Sequence, residues 1–322
     1  FNNKSILVIG GTGSFGKFFI KNIIKNFKPK RIVVFSRDEM KQWNMSNEIK
    51  TSLVTYVLGD VRDLNSLNSA CKGVDYIVHA AATKIVPTAE TNPQECIKTN
   101  VLGAMNVIEA AFSNNVKKVV ALSTDKAANP INLYGASKLC SDKLFVSTVL
   151  KSDILKNSCK FSVVRYGNVV NSRGSVIPFF LQQKNTNVLT VTDKNMTRFF
   201  LTLEDALKCV IYAFKNMIGG EIFVKKCPSL KIFDLARFIA PNAKIKIIGI
   251  RPGEKINETM ITQDDSISTY EYKDYYKIIP SISPRKNNLK RIKRGIKVKS
   301  GFNYTSNNND FWITKDQLKK FI

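Results

Sequence analysis

The sequence predicts an α/β protein: a Rossmann-type, doubly wound parallel sheet followed by a smaller, irregular C-terminal part. Three observations carry that prediction. Short β-branched runs alternate with helix-periodic stretches from Ser5 to about Gly167, the pattern of successive βαβ units. The glycine-rich segment Gly10-Gly11-Thr12-Gly13-Ser14-Phe15-Gly16 stands directly between the first run and the first helical stretch. After Gly167 the alternation loosens into Ser, Asn, Arg and Pro.

Taken in order, the expected parallel strands are Ile6 to Ile9, Arg31 to Phe35, Leu53 to Leu58, Tyr76 to His79, Lys118 to Leu122 and Phe161 to Arg165. Between them, Phe18, Phe19, Ile23 and Ile24, and later Val101, Met105, Ile108 and Phe112, recur at helical spacing. Each crossover is long enough to be right-handed and to cover a sheet face. Beyond residue 170 the sequence predicts one good helix, Leu203 to Lys215, and short strands at Glu221 to Val224 and Lys244 to Ile248. The expected division is therefore residues 1–170 as a dinucleotide-binding domain, helped by about 200–216, and 171–322 as a substrate-binding part. That part is expected over the carboxyl ends of the strands, where open α/β sheets bind ligands.

Composition bounds the function classes. A chain of 322 residues, 44% of them hydrophobic, can bury a full core. The formal charge is +25, with 50 Lys and Arg against 25 Asp and Glu. The excess is mostly Lys scattered among Asn and Ile, which reads as compositional bias ahead of attraction for an acidic small substrate or a polyanion surface. Arg285 to Lys299 holds eight basic residues and no acid; a solvated surface segment is preferred there over nucleic-acid contact. The six cysteines form no C-x-x-C pair, so reduced thiols in a cytoplasm and no metal site are expected. With no apolar stretch of ~18 residues and no charged-then-apolar leader pattern, no membrane partner is expected.

The glycine turn is suited to a pyrophosphate. Gly10, Gly13 and Gly16 allow a tight turn, close approach of backbone to phosphate and tight helix packing, and the helix N-terminus favours an anion. At the end of the second strand, where an acid would bind the ribose hydroxyls of NAD, the chain reads Ser36-Arg37-Asp38, with Lys41 one turn on. A guanidinium matches a 2′-phosphate, so NADP is the expected cofactor; the alternative is that Arg37 only stacks on adenine and Asp38 caps a helix. Asp60-Val61 and Ala80-Ala81-Ala82 stand where the adenine and ribose should pass. His79, the only histidine, lies in an apolar strand and is read as a structural, hydrogen-bonded imidazole.

Ser123-Thr124-Asp125-Lys126 ends the fifth strand, and Tyr134 and Lys138 sit four apart at the start of the next helix, on one face. A nearby ammonium favours a phenolate, so Tyr134 can take a proton from a substrate hydroxyl that Thr124 also binds.

On these residues the chain resembles the extended short-chain dehydrogenase/reductases, and within them the inverting UDP-N-acetylglucosamine 4,6-dehydratases of pseudaminic acid biosynthesis. The resemblance runs almost end to end. It is carried also by Arg165-Tyr166-Gly167-Asn168-Val169-Val170, Met196-Thr197-Arg198-Phe199 and Gly249-Ile250-Arg251-Pro252-Gly253-Glu254-Lys255. Asp125-Lys126 is its most discriminating feature, since retaining sugar-nucleotide dehydratases carry Asp-Glu there. The resemblance implies that Tyr134, with Thr124 and Lys138, deprotonates the C4 hydroxyl, that Lys126 removes the C5 proton, and that Asp125 protonates the departing C6 hydroxyl. It implies cofactor contacts from Gly10, Thr12, Gly13, Ser14, Phe15, Gly16, Ser36, Arg37, Asp38, Glu39, Met40, Lys41, Asp60, Val61, Ala80, Lys84, Tyr134, Lys138 and Val169. For the sugar and diphosphate it implies Lys84, Asn168, Arg173, Val176, Arg198 and Arg251, with Asn308 of the tail near the nucleotide. A homo-oligomer, dimer or hexamer, is also implied, with Asn92 to Phe112 and Leu133 to Leu150 as contact helices. Ile9 in place of the usual Thr, Asn171 in place of a common Gly, and the basic run at 285–299 depart from the pattern. Two other readings stand beside this one: a nucleotide-sugar epimerase, including bifunctional forms, and a non-catalytic NADP-sensing protein that binds a polyanion through Arg285 to Lys299.

Overall fold

The computed structural model describes residues 1–154, 158–170, 172, 175–282 and 285–319. Six parallel strands lie where the β-branched runs predict them: β1 (Ser5–Ile9), β2 (Arg31–Ser36), β3 (Val54–Leu58), β4 (Tyr76–His79), β5 (Lys118–Thr124) and β6 (Lys160–Tyr166). Burial on both faces explains the composition of all but β3, which is partly exposed at the sheet edge. Ile6, Leu7 and Val8 of β1 and Val119 and Val120 of β5 are fully buried, as parallel strands covered by helices require.

The sheet continues into the C-terminal half. β7 (Ile222–Lys225) adds in parallel beside β6, and β8 (Thr269–Glu271), β9 (Tyr275–Ile278) and β10 (Ile296–Lys297) extend it by antiparallel pairing. Among the described residues the order is β10-β8-β9-β7-β6-β5-β4-β1-β2-β3. The doubly wound order reverses at β1, whose neighbours are β2 and β4, and the crevice at such a reversal is where these sheets bind ligands.

Helices cover the faces. α1 (Ser14–Asn26) packs with α6 (Leu203–Asn216), while α3 (Leu64–Cys71), α4 (Gly103–Ser113) and α5 (Leu133–Ile154) pack together; α2 (Glu39–Glu48) lies against β2 and β3. α6 is stabilised at its start by a capping box, in which Thr202 and Asp205 satisfy each other's backbone N–H. The contact helix expected over Asn92 to Phe112 is divided. Pro93–Ile97 is α-helical, Lys98–Leu102 makes a π turn, and α4 follows. No helix among the described residues is long and apolar enough to cross a membrane.

A second, smaller core gathers Ile177, Phe180, Leu189, Val191, Leu235 and Ile239. They come from helix Val176–Lys184, strand Val188–Val191 and helix Ile232–Ile239. Strand Lys244–Ile247 pairs with Val188–Val191, one residue short of the expected end. Between the two cores, Thr197–Leu201 pairs with Asn168–Val169 on one side and Ser229–Lys231 on the other.

Candidate active site

The glycine turn forms a cradle at the end of β1. Gly10 adopts φ 79°, and a Cβ there would lie 2.7 Å from the Ala81 amide nitrogen. Only glycine fits that conformation and that approach to the end of β4. At Gly16 a Cβ would lie 2.6 Å from the Cα of Gly11, so this glycine lets α1 pack on the turn. Gly13 is the N-cap of α1 and supplies no side-chain cap, and the first turn carries no acid. The positive end of the helix dipole is thus left to an anion at the turn.

The ends of β2 and β3 supply charge beside this cradle. Asp38 caps α2 by accepting from the Lys41 amide at 2.9 Å, and its carboxylate also pairs with the Lys41 ammonium. Arg37 is left more than half exposed, with its guanidinium 3.6 Å from Asp60. Asp60 is held chiefly by Arg62, at 2.6 Å. Ser36 accepts a hydrogen bond from Gln42; Glu39 and Met40 begin α2 on its exposed side. Val61 is buried, Ala80 is half-buried and Lys84 is exposed in the loop before helix Val86–Thr91. Thr12 and Ser14 line the turn half-buried, on either side of exposed Gly13, and Phe15 is buried.

His79 is 1% exposed, packed on Phe145 at 5.8 Å. Burial first, and then the Lys138 charge, pushes its pKa down to about 3, so it is a neutral core residue. The expected hydrogen bond is not present at Nδ1, which has no partner among the described residues.

At the end of β5 the chain makes a 3-10 turn, Asp125–Ala127, before α5. Gly135 lets the two approach, since a Cβ there would lie 2.3 Å from the Lys126 carbonyl oxygen. Thr124 Oγ1 donates to Asp125 Oδ1 at 3.0 Å, and Lys126 Nζ donates to the same oxygen at 3.0 Å. Lys126 Nζ also lies 3.0 Å from Glu258 Oε1 and 3.4 Å from Asn168 Oδ1. Burial opposes the Lys126 ammonium, but the Asp125 and Glu258 carboxylates outweigh it and hold its pKa above the ordinary value. Burial raises the pKa of Asp125, which is 0% exposed and whose Oδ2 has no partner among the described residues.

Tyr134 is half-buried at the start of α5. Burial pushes its phenol up to about 12, against the Lys126 charge and hydrogen bonding with Thr124. Lys138, four residues on, is 3% exposed and donates to the Leu122 carbonyl at 2.7 Å; burial lowers its pKa, with Asp142 opposing. Thr124, Asp125, Lys126 and Tyr134 therefore share one cluster, and Lys138 stands on the Tyr134 face with its ammonium on the backbone of β5.

The expected substrate residues are placed unequally. Asn168 joins the cluster through Lys126, and next to it Val169, expected at the cofactor, is half-buried and pairs with Leu201. Val176 is the first residue of its helix. Arg198 is 5% exposed and spends its guanidinium on the carbonyls of Thr197, Ile256 and Lys255, with Glu254 and Glu258 each at 3.6 Å. Arg251 is on the exposed rim, paired with Glu254 at 2.8 Å. Asn308 is exposed in the tail. Ser306, two residues before it, is buried and ties together two segments next to the site, accepting from the Glu258 amide at 2.9 Å and bonding the Thr197 hydroxyl at 2.6 Å. Arg173 lies outside the described residues.

Glu258 is the member of the cluster that the sequence did not reveal. It follows the singled-out stretch Gly249 to Lys255 by three positions, and an acid next to that stretch was the available signal.

Residues 6–280 match the model of a family described as polysaccharide biosynthesis protein. The chain belongs to that family. A relative from Campylobacter jejuni subsp. jejuni serotype O:2, named UDP-N-acetylglucosamine 4,6-dehydratase (inverting), is 53% identical over 100% of this chain and 98% of its own length. A protein from Rickettsia bellii (strain RML369-C), named UDP-glucose 4-epimerase, is 45% identical over 86% of this chain and 83% of its own. Among solved structures, Pen from Bacillus thuringiensis superposes with a TM-score of 0.89 at 38% identity, covering 99% of this chain and 98% of that one. The sheet and the C-terminal part together thus have a counterpart in a solved structure along nearly the whole chain.

Proposed function

We infer that this chain is a UDP-N-acetylglucosamine 4,6-dehydratase that inverts C5. Its product is then UDP-2-acetamido-2,6-dideoxy-β-L-arabino-hexos-4-ulose. The observation that carries the reading is the contact cluster Thr124, Asp125, Lys126 and Tyr134, in a chain 53% identical, end to end, to a relative of that name.

The cradle of Gly10, Gly13 and Gly16 fits a dinucleotide, as the 2.7 Å approach at Gly10 and the uncapped start of α1 indicate. When bound, a nicotinamide dinucleotide supplies a hydride acceptor for C4 and a hydride donor for C6. Tyr134 takes the proton of the C4 hydroxyl; because burial disfavours its phenolate, positive charge from Lys126 and Lys138 must offset that cost. Lys126 takes the C5 proton, acidified by the C4 ketone. Asp125 gives a proton to the C6 hydroxyl, which leaves as water; once C6 has received the hydride, C5 takes a proton on the opposite face, and that inverts it. In the free chain Lys126 is held as an ammonium, so it must release a proton before it acts as a base.

Exposed Arg37 at the end of β2 supports NADP over NAD. Arg37→Asp should shift the preference toward NAD by roughly 10 to 100 fold, the worth of one charge-assisted phosphate contact; equal affinities in the parent protein would contradict the assignment. The remaining assignments are proposals of the same reading: residues 1–170 as cofactor domain and 171–322 as substrate part, Lys84, Asn168, Val176, Arg198, Arg251 and Asn308 toward the UDP-sugar, a homo-oligomer, a cytoplasmic setting and a step toward pseudaminic acid.

The second reading, a nucleotide-sugar 4-epimerase, is favoured by the Rickettsia bellii relative's name. Mass spectrometry separates the two. Incubated with UDP-N-acetylglucosamine, a dehydratase yields a product lighter by one water, whereas an epimerase yields an isomer of unchanged mass; unchanged mass would overturn the first reading.

A further inference from the structure

The cluster holds two carboxyl groups around one ammonium, and their surroundings differ. Asp125 stands on the turn after β5, with Oδ1 on Thr124 and Lys126 and Oδ2 buried without a partner among the described residues. Glu258 arrives from the residue just before strand Thr259–Ile261, 1% exposed, with Oε1 3.0 Å from Lys126 Nζ and 3.6 Å from Arg198 Nε. Its backbone is fixed on both sides, since the Glu258 amide donates to Ser306 Oγ at 2.9 Å and the Ser306 amide donates to the Glu258 carbonyl at 2.8 Å. Arg198 is locked in turn by three backbone carbonyls. Two cations therefore face Glu258 at close range, whereas Asp125 faces one.

Resting on the reading of Lys126 as base and Asp125 as acid, we propose that Glu258 is a positioning residue for the dehydration, the fixed counter-anion of Lys126 that leaves Asp125 as the carboxyl group holding a proton for the departing C6 hydroxyl. Two buried carboxylates beside one ammonium cannot both ionise cheaply. The arrangement decides which one does. Burial opposes ionisation of Glu258, but Lys126 and Arg198 outweigh it and hold its pKa low, with Lys255 contributing. For Asp125 burial wins over Lys126, and the Glu258 charge adds to it. Remove the Glu258 charge and Asp125 becomes the counter-anion, ionised and unable to donate.

The test compares two leaving groups. A 6-deoxy-6-fluoro analogue of UDP-N-acetylglucosamine expels fluoride, which needs far less protonation than hydroxide. Glu258→Gln should slow turnover of the normal substrate by about 100 fold, the low end of what a positioned acid contributes, while turnover of the fluoro analogue stays close to the parent's. The alkaline limb of the pH profile on the normal substrate should move to lower pH, because Asp125 loses its anionic neighbour, and Glu258→Asp should restore much of the rate. Equal losses on both substrates, or an unmoved alkaline limb, would overturn the proposal. Failure of the parent protein on both substrates would instead sink the underlying dehydratase reading. The parent offers a check that does not depend on folding of the Gln variant: its infrared spectrum at neutral pH should contain a protonated-carboxyl band that Asp125→Asn removes and Glu258→Asp keeps. Absence of that band would equally refute the assignment.

Discussion

Lys126 has the most demanding role, because its surroundings in the free chain favour the ammonium and its proposed task needs the amine. Replacing it by Met keeps much of the side-chain volume and removes the nitrogen. Lys126→Met should bind UDP-N-acetylglucosamine and yet release no dehydrated product, and in heavy water the parent should place deuterium at an inverted C5. Dehydration at the parent's rate by the variant would assign the C5 proton to another residue. Tyr134→Phe is the matching test at C4. It preserves the ring on α5 and should lower turnover by roughly 100 fold or more with little change in substrate affinity, read as kcat against KM. Near-normal kcat would remove Tyr134 from the mechanism. These residues were legible because strand ends and helix starts bring Thr124 and Tyr134 together by rule. Glu258 was not, because it enters from a segment more than a hundred residues away in sequence, and its place beside the stretch Gly249 to Lys255 does not say which side chain it meets.

Among the elements, the turn after β1 carries the sharpest structural demand. Gly10→Ala must place a Cβ in a left-handed conformation 2.7 Å from a backbone nitrogen, which should cost about 1 to 3 kcal/mol and weaken dinucleotide binding. Urea unfolding and cofactor titration would measure both; unchanged values would mean that the turn relaxes freely. β1, β2 and β4 to β6 were readable in the sequence because strands buried on both faces must be β-branched and apolar, and the edge strand β3 because its run Val54 to Leu58 is still mostly β-branched and apolar. β8 and β9 were not. Thr269–Glu271 and Tyr275–Ile278 are short and mix Tyr, Lys and Glu with apolar residues, as antiparallel strands near a sheet edge can. The π turn at Lys98–Leu102 was also hidden, since one extra residue per turn hardly disturbs helical periodicity over five positions.

For the whole molecule, the face built by the helical segment from Pro93 and by α5 leaves apolar side chains in solvent: Ile97, Leu102, Met105 and Leu150 are each exposed. A homo-oligomer that covers them is part of the proposed reading. Met105→Glu should then lower the molecular mass seen by light scattering and leave the far-ultraviolet circular dichroism unchanged; an unaltered mass would place the contact elsewhere. Of the irregular C-terminal half, the helix from Leu203 and the strands near Ile222 and Lys244 were foreseen, but not its share of the main sheet, because that depends on pairings between segments remote in sequence.

The neutral, enclosed imidazole of His79 has a consequence for the protein's electrical behaviour. Histidine is the side chain whose ordinary pKa puts a charge change at about pH 5 to 8, and the chain's single one is withdrawn from that range. Acidification within it therefore adds no imidazolium charge to the formal +25. The long-range pull on an anionic solute is then set by dissolved salt, which contracts the field, and not by protonation of an imidazole.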